Sequence, residues 1–199
     1  MPKEGKARVL TDAELKRFLI FAKEGTFGIR NLAMVFCSYG LGLRAKEIAS
    51  LKICDVVDAQ LKVLDEINLK SHMTKGDKQR HVYITHPKLI QALQLHINHR
   101  CEKEKEAFCT TSYLFRSQRG SAFHPDVLQK WFRNLYDKAG FVGASSHSGR
   151  RTFITRLIEQ GADIKAVSRL AGHASIVTTS EYVEDNPDRL RRIASLALF

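Results

Sequence analysis

Two short segments between Leu61 and Ile84 alternate apolar with polar residues, and almost every periodic stretch around them repeats with helical spacing. Leu61, Val63, Asp65, Ile67 and Leu69 form the first segment, and Arg80-His81-Val82-Tyr83-Ile84 the second. The polar run Met73–Arg80 between them, with Gly76-Asp77, suits the end of an antiparallel hairpin. Strand content is thereby confined to this hairpin, or to a three-stranded sheet if Thr111–Phe115 adds a strand.

The flanks are punctuated for helices. Thr11 and Glu14 make a capping box, with Leu10 able to staple to Leu15, so a helix starts there and runs to about Lys23. A second fits Phe27–Tyr39, with Leu32, Val35, Phe36 and Tyr39 near one face. Gly40 and Gly42 break that pattern, and Ala45–Lys52 restarts it. Further helices fit Pro87–Glu106 and Pro125–Lys138. In the second of these, Val127, Leu128, Trp131, Phe132 and Leu135 form a broad apolar stripe, and Gly140 suits the stop. The stretch Arg150–Gln160 turns Phe153, Ile154, Leu157 and Ile158 inward, and Gly161 ends it. Asp163 caps a short helix with Ile164, Val167 and Leu170 that stops before Gly172. Asn186 and Pro187 open a last one, with Leu190, Ile193, Leu196 and Ala197 on one side. The expectation is a mainly α chain with a small antiparallel β-sheet or hairpin (α+β), forming one domain over residues 1–199.

Charge narrows the choice of partner. Lys and Arg number 32 against 21 Asp and Glu, a formal net charge of +11, while 44% hydrophobic residues suffice for a core. Such an excess favours a polyanion, because neutralising phosphates releases condensed counterions. The N-terminal MPKEGKARVL lacks the apolar core of a secretion signal, and no apolar run reaches the length of a membrane span. Four cysteines without a CxxC pair read as reduced thiols, so the expected location is cytoplasmic, with no membrane partner.

Breaking a phosphodiester without a metal needs a nucleophile, cationic donors for the non-bridging oxygens and an acid for the leaving oxygen. Arg44 follows the Gly42-Leu43 break at a helix mouth, where anions are favoured. Lys75 sits in the hairpin polar run and can hold a proton, with Lys78 as the competing candidate. His147 and Arg150 are three apart at the start of a helix, on one face, with Arg151 beside them. Arginine there opposes the helix dipole, which supports an external anion. His173 follows Gly172, and Tyr182 stands nine residues later in a polar segment. Its hydroxyl reaches the same phosphate if 174–181 folds back. Neither paired acids nor a DxD motif of the kind metal-dependent nucleases use occurs. His96, His99 and Cys101 fit an exposed helical face better than a metal site.

Taken in order, GLGLRAKEIASL, TKGDKQR, HSGR and LAGHASIVTTSEY resemble the catalytic boxes of the tyrosine recombinases, the phage-integrase family. The resemblance implies that Arg44 and Arg150 clamp the scissile phosphate and Lys75 protonates the leaving 5′ oxygen. It implies that His147 and His173 assist proton transfer and charge stabilisation, and that Tyr182 attacks to form a 3′-phosphotyrosyl bond. Glu47 matches the acidic position that buttresses the first arginine, and Lys78, Arg80 and Arg151 are expected to contact DNA. Double-stranded DNA and a homo-oligomer, a tetramer on two duplexes, are the implied partners; no cofactor or metal is implied. Gly149 and Arg151 stand where relatives often carry leucine and histidine. The catalytic-type helix begins by Thr11, so the expected chain is a catalytic domain with no core-binding domain ahead of it, either a compact form similar in length to the fimbrial-switch invertases or a fragment. A type IB topoisomerase, or a DNA-binding regulator that keeps the fold without cutting, remains as an alternative.

Overall fold

The computed structural model describes residues 7–74, 79–118, 120–182, 191, 194 and 195. The capping box at Thr11 and Glu14 is present in full and opens α1 (Asp12–Ala22). Next comes α2 (Gly28–Gly40), which is buried on nearly every side because α1, α4 (Pro87–Glu104) and α6 (Ser148–Glu159) all pack on it. Its buried set, Ala33, Met34, Val35, Cys37 and Tyr39, is therefore wider than the single face predicted from spacing. After the break at 41–44, α3 (Ala45–Ser50) packs on α5 (Pro125–Lys138). Phe18 stacks on Tyr136 at 4.4 Å between ring centres, joining α1 to α5 at the middle of the main core.

Among the described residues the sheet has two strands. β1 (Glu66–Leu69) pairs antiparallel with β2 (Arg80–Tyr83), with Ile67 opposite Val82 and Leu69 opposite Arg80. Leu69 and Val82 face the core, and so does Arg80, the first residue of β2. The strand predicted from Leu61 starts later because Leu61 lies in the left-handed region (φ 59°), and Val63 makes only an isolated bridge to Val57. Thr111–Phe115 contributes a single bridge, Tyr113 to Lys52, rather than a third strand.

Two more helices follow: α7 (Ile164–Ala171), capped by the Asp163 carboxylate, and α8 (Ile176–Ser180), capped by Ser175. A second, smaller apolar cluster lies where α6 and α7 meet: Ile154, Ile158, Val167 and Ala171, with Phe153, Leu157 and Tyr182 packed against it. The predicted stripe of α5 is shifted. Leu128, Phe132 and Tyr136, spaced by four, form the buried line, while Val127 is 51% exposed. The helix expected from Asn186 lies outside the described residues, apart from 191, 194 and 195. Among the described residues, no helix is long and apolar enough to cross a membrane.

Candidate active site

The break after α2 delivers Arg44 to the N-terminus of α3, where it holds the cap position in an extended conformation. Its backbone N–H donates to Glu47 Oε2 (2.8 Å) and its Nη1 to Glu47 Oε1 (3.0 Å). Its Nη2 donates to the carbonyl of Gly172 (3.3 Å). Glu47 is completely buried and also takes both terminal nitrogens of Arg80, one at 2.8 Å. Burial alone raises a carboxyl pKa, but the hydrogen bonds and charge of Arg80, together with Arg44, hold this one below its ordinary value. Glu47 is therefore an anion between two cations, and the trio carries a net positive charge.

Arg150, 5% exposed, emerges from the first turn of α6 and donates to the carbonyls of Gly42 (2.8 Å) and Ala171. One guanidinium thus ties the segment before α3 to the end of α7. Burial, then the charge of Arg44, pushes its pKa down to about 9, so it stays protonated at neutral pH. His147 occupies the cap position of the same helix and is exposed. Hydrogen bonds that include Arg8 N–H to Gly143 O (3.1 Å) and Leu10 N–H to Thr152 Oγ1 (3.1 Å) hold the chain ahead of α1 against this helix region.

α7 ends at Gly172, which adopts the left-handed conformation (φ 64°, ψ 49°) and turns the chain so that His173 faces Arg44 and Arg150. His173 Nδ1 lies 2.7 Å from the hydroxyl of Thr179, a fully buried residue of α8, which fixes the ring and commits that nitrogen. Burial, followed by the charges of Arg150, Arg44 and Arg80, lowers the His173 pKa to about 4, so its imidazole is neutral at pH 7. α8 folds the chain back, and the ring of Tyr182 stacks on His173 at 5.9 Å between centres. The guanidinium carbon of Arg151 lies 5.9 Å from the centre of the tyrosine ring. Tyr182 is half-buried, its ring resting against the small α6–α7 cluster.

Arg44, His147, Arg150, Arg151, His173 and Tyr182 line one cleft of about 420 Å³. Three arginines, two imidazoles and a phenol thus share the cleft with one carboxylate, Glu181, so positive charge predominates. Two depressed pKa values, those of Arg150 and His173, trace partly to mutual repulsion among like charges, which an anion in the cleft would relieve. The arrangement suits a tetrahedral oxyanion with a hydroxyl nucleophile beside it. Among the described residues, no three His, Cys, Asp or Glu side chains converge as a metal site. His96 instead donates from Nε2 to the Leu114 carbonyl (2.8 Å) in the core.

Of the residues singled out from sequence, Lys75 and Lys78 lie outside the described residues. Arg80 is 8% exposed and directs both terminal nitrogens to Glu47, so it braces the site from inside. The alternation of β2 signals this, since Arg80 shares the inward face with Val82. Thr179 was missed; a buried threonine in a polar run leaves no periodic signal.

The phage integrase family profile matches residues 8–189. The chain is 30% identical over 174 residues to the tyrosine recombinase XerC of Pelobacter propionicus, covering 86% of this chain and 53% of that protein. It is 31% identical over 202 residues to XerC of Bacillus pumilus, covering 96% and 62%. The chain thus spans little more than half the length of these relatives. Among solved structures, XerA recombinase superposes with a TM-score of 0.76 at 30% identity, over 100% of this chain and 67% of that one. XerH bound to its difH substrate, before cleavage, gives 0.71 at 26% identity, over 100% and 56%. A transposon Tn1549 integrase bound to transposon right-end DNA gives 0.77 at 21% identity, a likeness of fold, over 100% and 69%. With the family profile running through every element that builds the cleft, the chain belongs to the phage integrase family of tyrosine recombinases.

Proposed function

We propose that this chain is the catalytic domain of a site-specific DNA recombinase that cuts and rejoins double-stranded DNA through a covalent bond to Tyr182. The observation that carries the reading is the cleft itself: Arg44, Arg150, His147 and His173 converge with Tyr182 on one cleft. In this reading the two arginines and the histidines hold the non-bridging oxygens of the scissile phosphate. The Tyr182 oxygen attacks phosphorus and passes its proton to an imidazole of the cleft, His147 or His173, as the 3′-phosphotyrosyl ester forms. The bond from phosphorus to the 5′ oxygen breaks, and that oxygen takes a proton from Lys75. Rejoining runs the same steps in reverse with the 5′ hydroxyl of another strand. The ester conserves the phosphodiester, so the scheme draws on neither nucleotide hydrolysis nor a metal ion.

The net charge of +11 supports DNA as partner. The cocrystallised DNA of XerH and of the Tn1549 integrase supports it by analogy of fold. A homo-oligomer on DNA, a tetramer over two duplexes, and action in the cytoplasm belong to the same reading.

The test uses nicked duplexes from the DNA adjoining the gene, together with a randomised-sequence pool, in the presence of chelator. After denaturation, wild type is expected to show a protein–DNA adduct confined to a subset of sequences. Adducts on every sequence, with relaxation of any supercoiled plasmid, would point to topoisomerase chemistry. Binding without any adduct would point to a regulator.

A further inference from the structure

We propose that Arg80 is a positioning residue for the phosphate clamp: by engaging the Glu47 carboxylate from below, it leaves Arg44 with unspent positive charge and a fixed direction. The phosphate is identified as a scissile DNA phosphate only through the recombinase reading above; the brace itself rests on geometry.

Glu47 is wholly buried and receives four donors, two from Arg44 and two from Arg80. If Arg44 were its only cation, the pair would be neutral, and the guanidinium of Arg44 would be drawn onto the carboxylate instead of toward an incoming anion. The second guanidinium changes that balance, because one carboxylate cannot neutralise two arginines. Arg80 is not among the residues lining the cleft, so it makes no direct contact there, although its charge reaches Arg150 and His173.

Arg80 also bears on the other acceptor of Arg44. Its stem runs so close to Gly172 that a Cβ on that glycine would lie 2.7 Å from Arg80 Cδ and 3.0 Å from its Nη1. Gly172 gives its carbonyl to Arg44 and leads directly into His173. One side chain, anchored in β2 opposite Leu69, therefore sets both neighbours that orient Arg44. A lysine offers a single ammonium and cannot reproduce the two-pronged contact.

The test measures the affinity of the free protein for inorganic phosphate, followed by the imidazole resonance of His173, in wild type, Arg80→Met, Arg80→Lys and Arg80→Met/Glu47→Gln. The expected order is a loss of about tenfold for Arg80→Met and about threefold for Arg80→Lys. Recovery of at least half the Arg80→Met loss is expected in the double variant, where a neutral amide no longer neutralises Arg44. Wild-type affinity in Arg80→Met, or a double variant as weak as the single one, overturns the proposal. Should Arg80→Met fail to fold, wild-type affinity in Arg80→Lys overturns it equally. The same proteins on nicked duplexes separate the two readings. Phosphate affinities in the expected order, without any wild-type adduct, sustain the brace and remove the recombinase. A wild-type adduct with unchanged phosphate affinities removes the brace alone.

Discussion

Replacing Gly172 by alanine, with Gly161→Ala as its partner experiment, isolates the close approach that shapes the site. Both glycines follow a helix and both have positive φ, 64° at Gly172 and 88° at Gly161. A side chain in that region costs about 1–2 kcal/mol, offset by about 0.4–1 kcal/mol because alanine lowers the entropy of the unfolded chain. The net loss at Gly161, where a Cβ meets nothing within 4 Å, is thus about 1 kcal/mol. At Gly172 the new methyl would press on Arg80 Cδ at 2.7 Å, and Arg80 cannot swing aside without abandoning Glu47. Overpacking of this kind adds about 1–3 kcal/mol, for a total of about 2–4 kcal/mol. For a chain of this size the difference corresponds to a drop in Tm of roughly 3 °C for Gly161→Ala against roughly 6–12 °C for Gly172→Ala. Urea unfolding at pH 7 checks the free energies, and phosphate titration is expected to weaken in Gly172→Ala alone. Equal losses of stability in the two variants would refute the packing argument.

Three other outcomes follow from the same structure. His96 is buried, and burial, opposed by its bond to the Leu114 carbonyl and reinforced by Arg100, Arg30 and His99, lowers its pKa to about 4. The unfolded chain therefore binds the proton first as pH falls. The contribution of this group is intact above about pH 6.5 and is lost toward pH 4, by roughly 2–3 kcal/mol at pH 4.5. Urea unfolding at pH 7 and 4.5 should show a correspondingly smaller loss in His96→Gln; identical losses would contradict the assignment. For His173, phosphate in the cleft offsets the arginine charges that depress its pKa, so its titration midpoint should rise from about 4 as phosphate is added. An unchanged midpoint at saturating phosphate would place the anion elsewhere. Arg150→Lys cannot span the Gly42 and Ala171 carbonyls, so a loss of about 2–3 kcal/mol and weakened phosphate binding are expected, measured by urea unfolding and titration.

Much of this architecture is legible in local chemistry. The Thr11–Glu14 box, Pro125 in the first turn of α5, and Asp163 and Gly172 around α7 mark helix ends because caps act within one turn. Arg44, His147, Arg150, His173 and Tyr182 were identified by residue type and order, and the fold brings them to one cleft. Tertiary packing decided what local pattern could not. Val127 belongs to the apolar stripe of α5 by spacing, yet α3 and α1 meet that helix around Leu128, Phe132 and Tyr136. Leu61 reads as a strand residue but turns left-handed, shortening β1. Arg80 shows what charge alone leaves open: a basic residue in a basic loop suggests DNA, and its parity with Val82 in β2 also sends it inward to a buried carboxylate. Thr179 depends wholly on the fold, since only the return of α8 carries it to His173.

The central claim, that Tyr182 becomes covalently joined to DNA, is tested most directly by locating the attached nucleotide. Wild type and Tyr182→Phe would be incubated with the nicked duplex pool and chelator, denatured, and digested with nuclease and trypsin. Mass spectrometry would then follow the tryptic peptide 170–189, which contains Tyr182. The account predicts this peptide with a nucleotide 3′-phosphate on Tyr182 in wild type, and no adduct in Tyr182→Phe, which should still bind DNA. A nucleotide on another residue, or an adduct that persists in Tyr182→Phe, would contradict it.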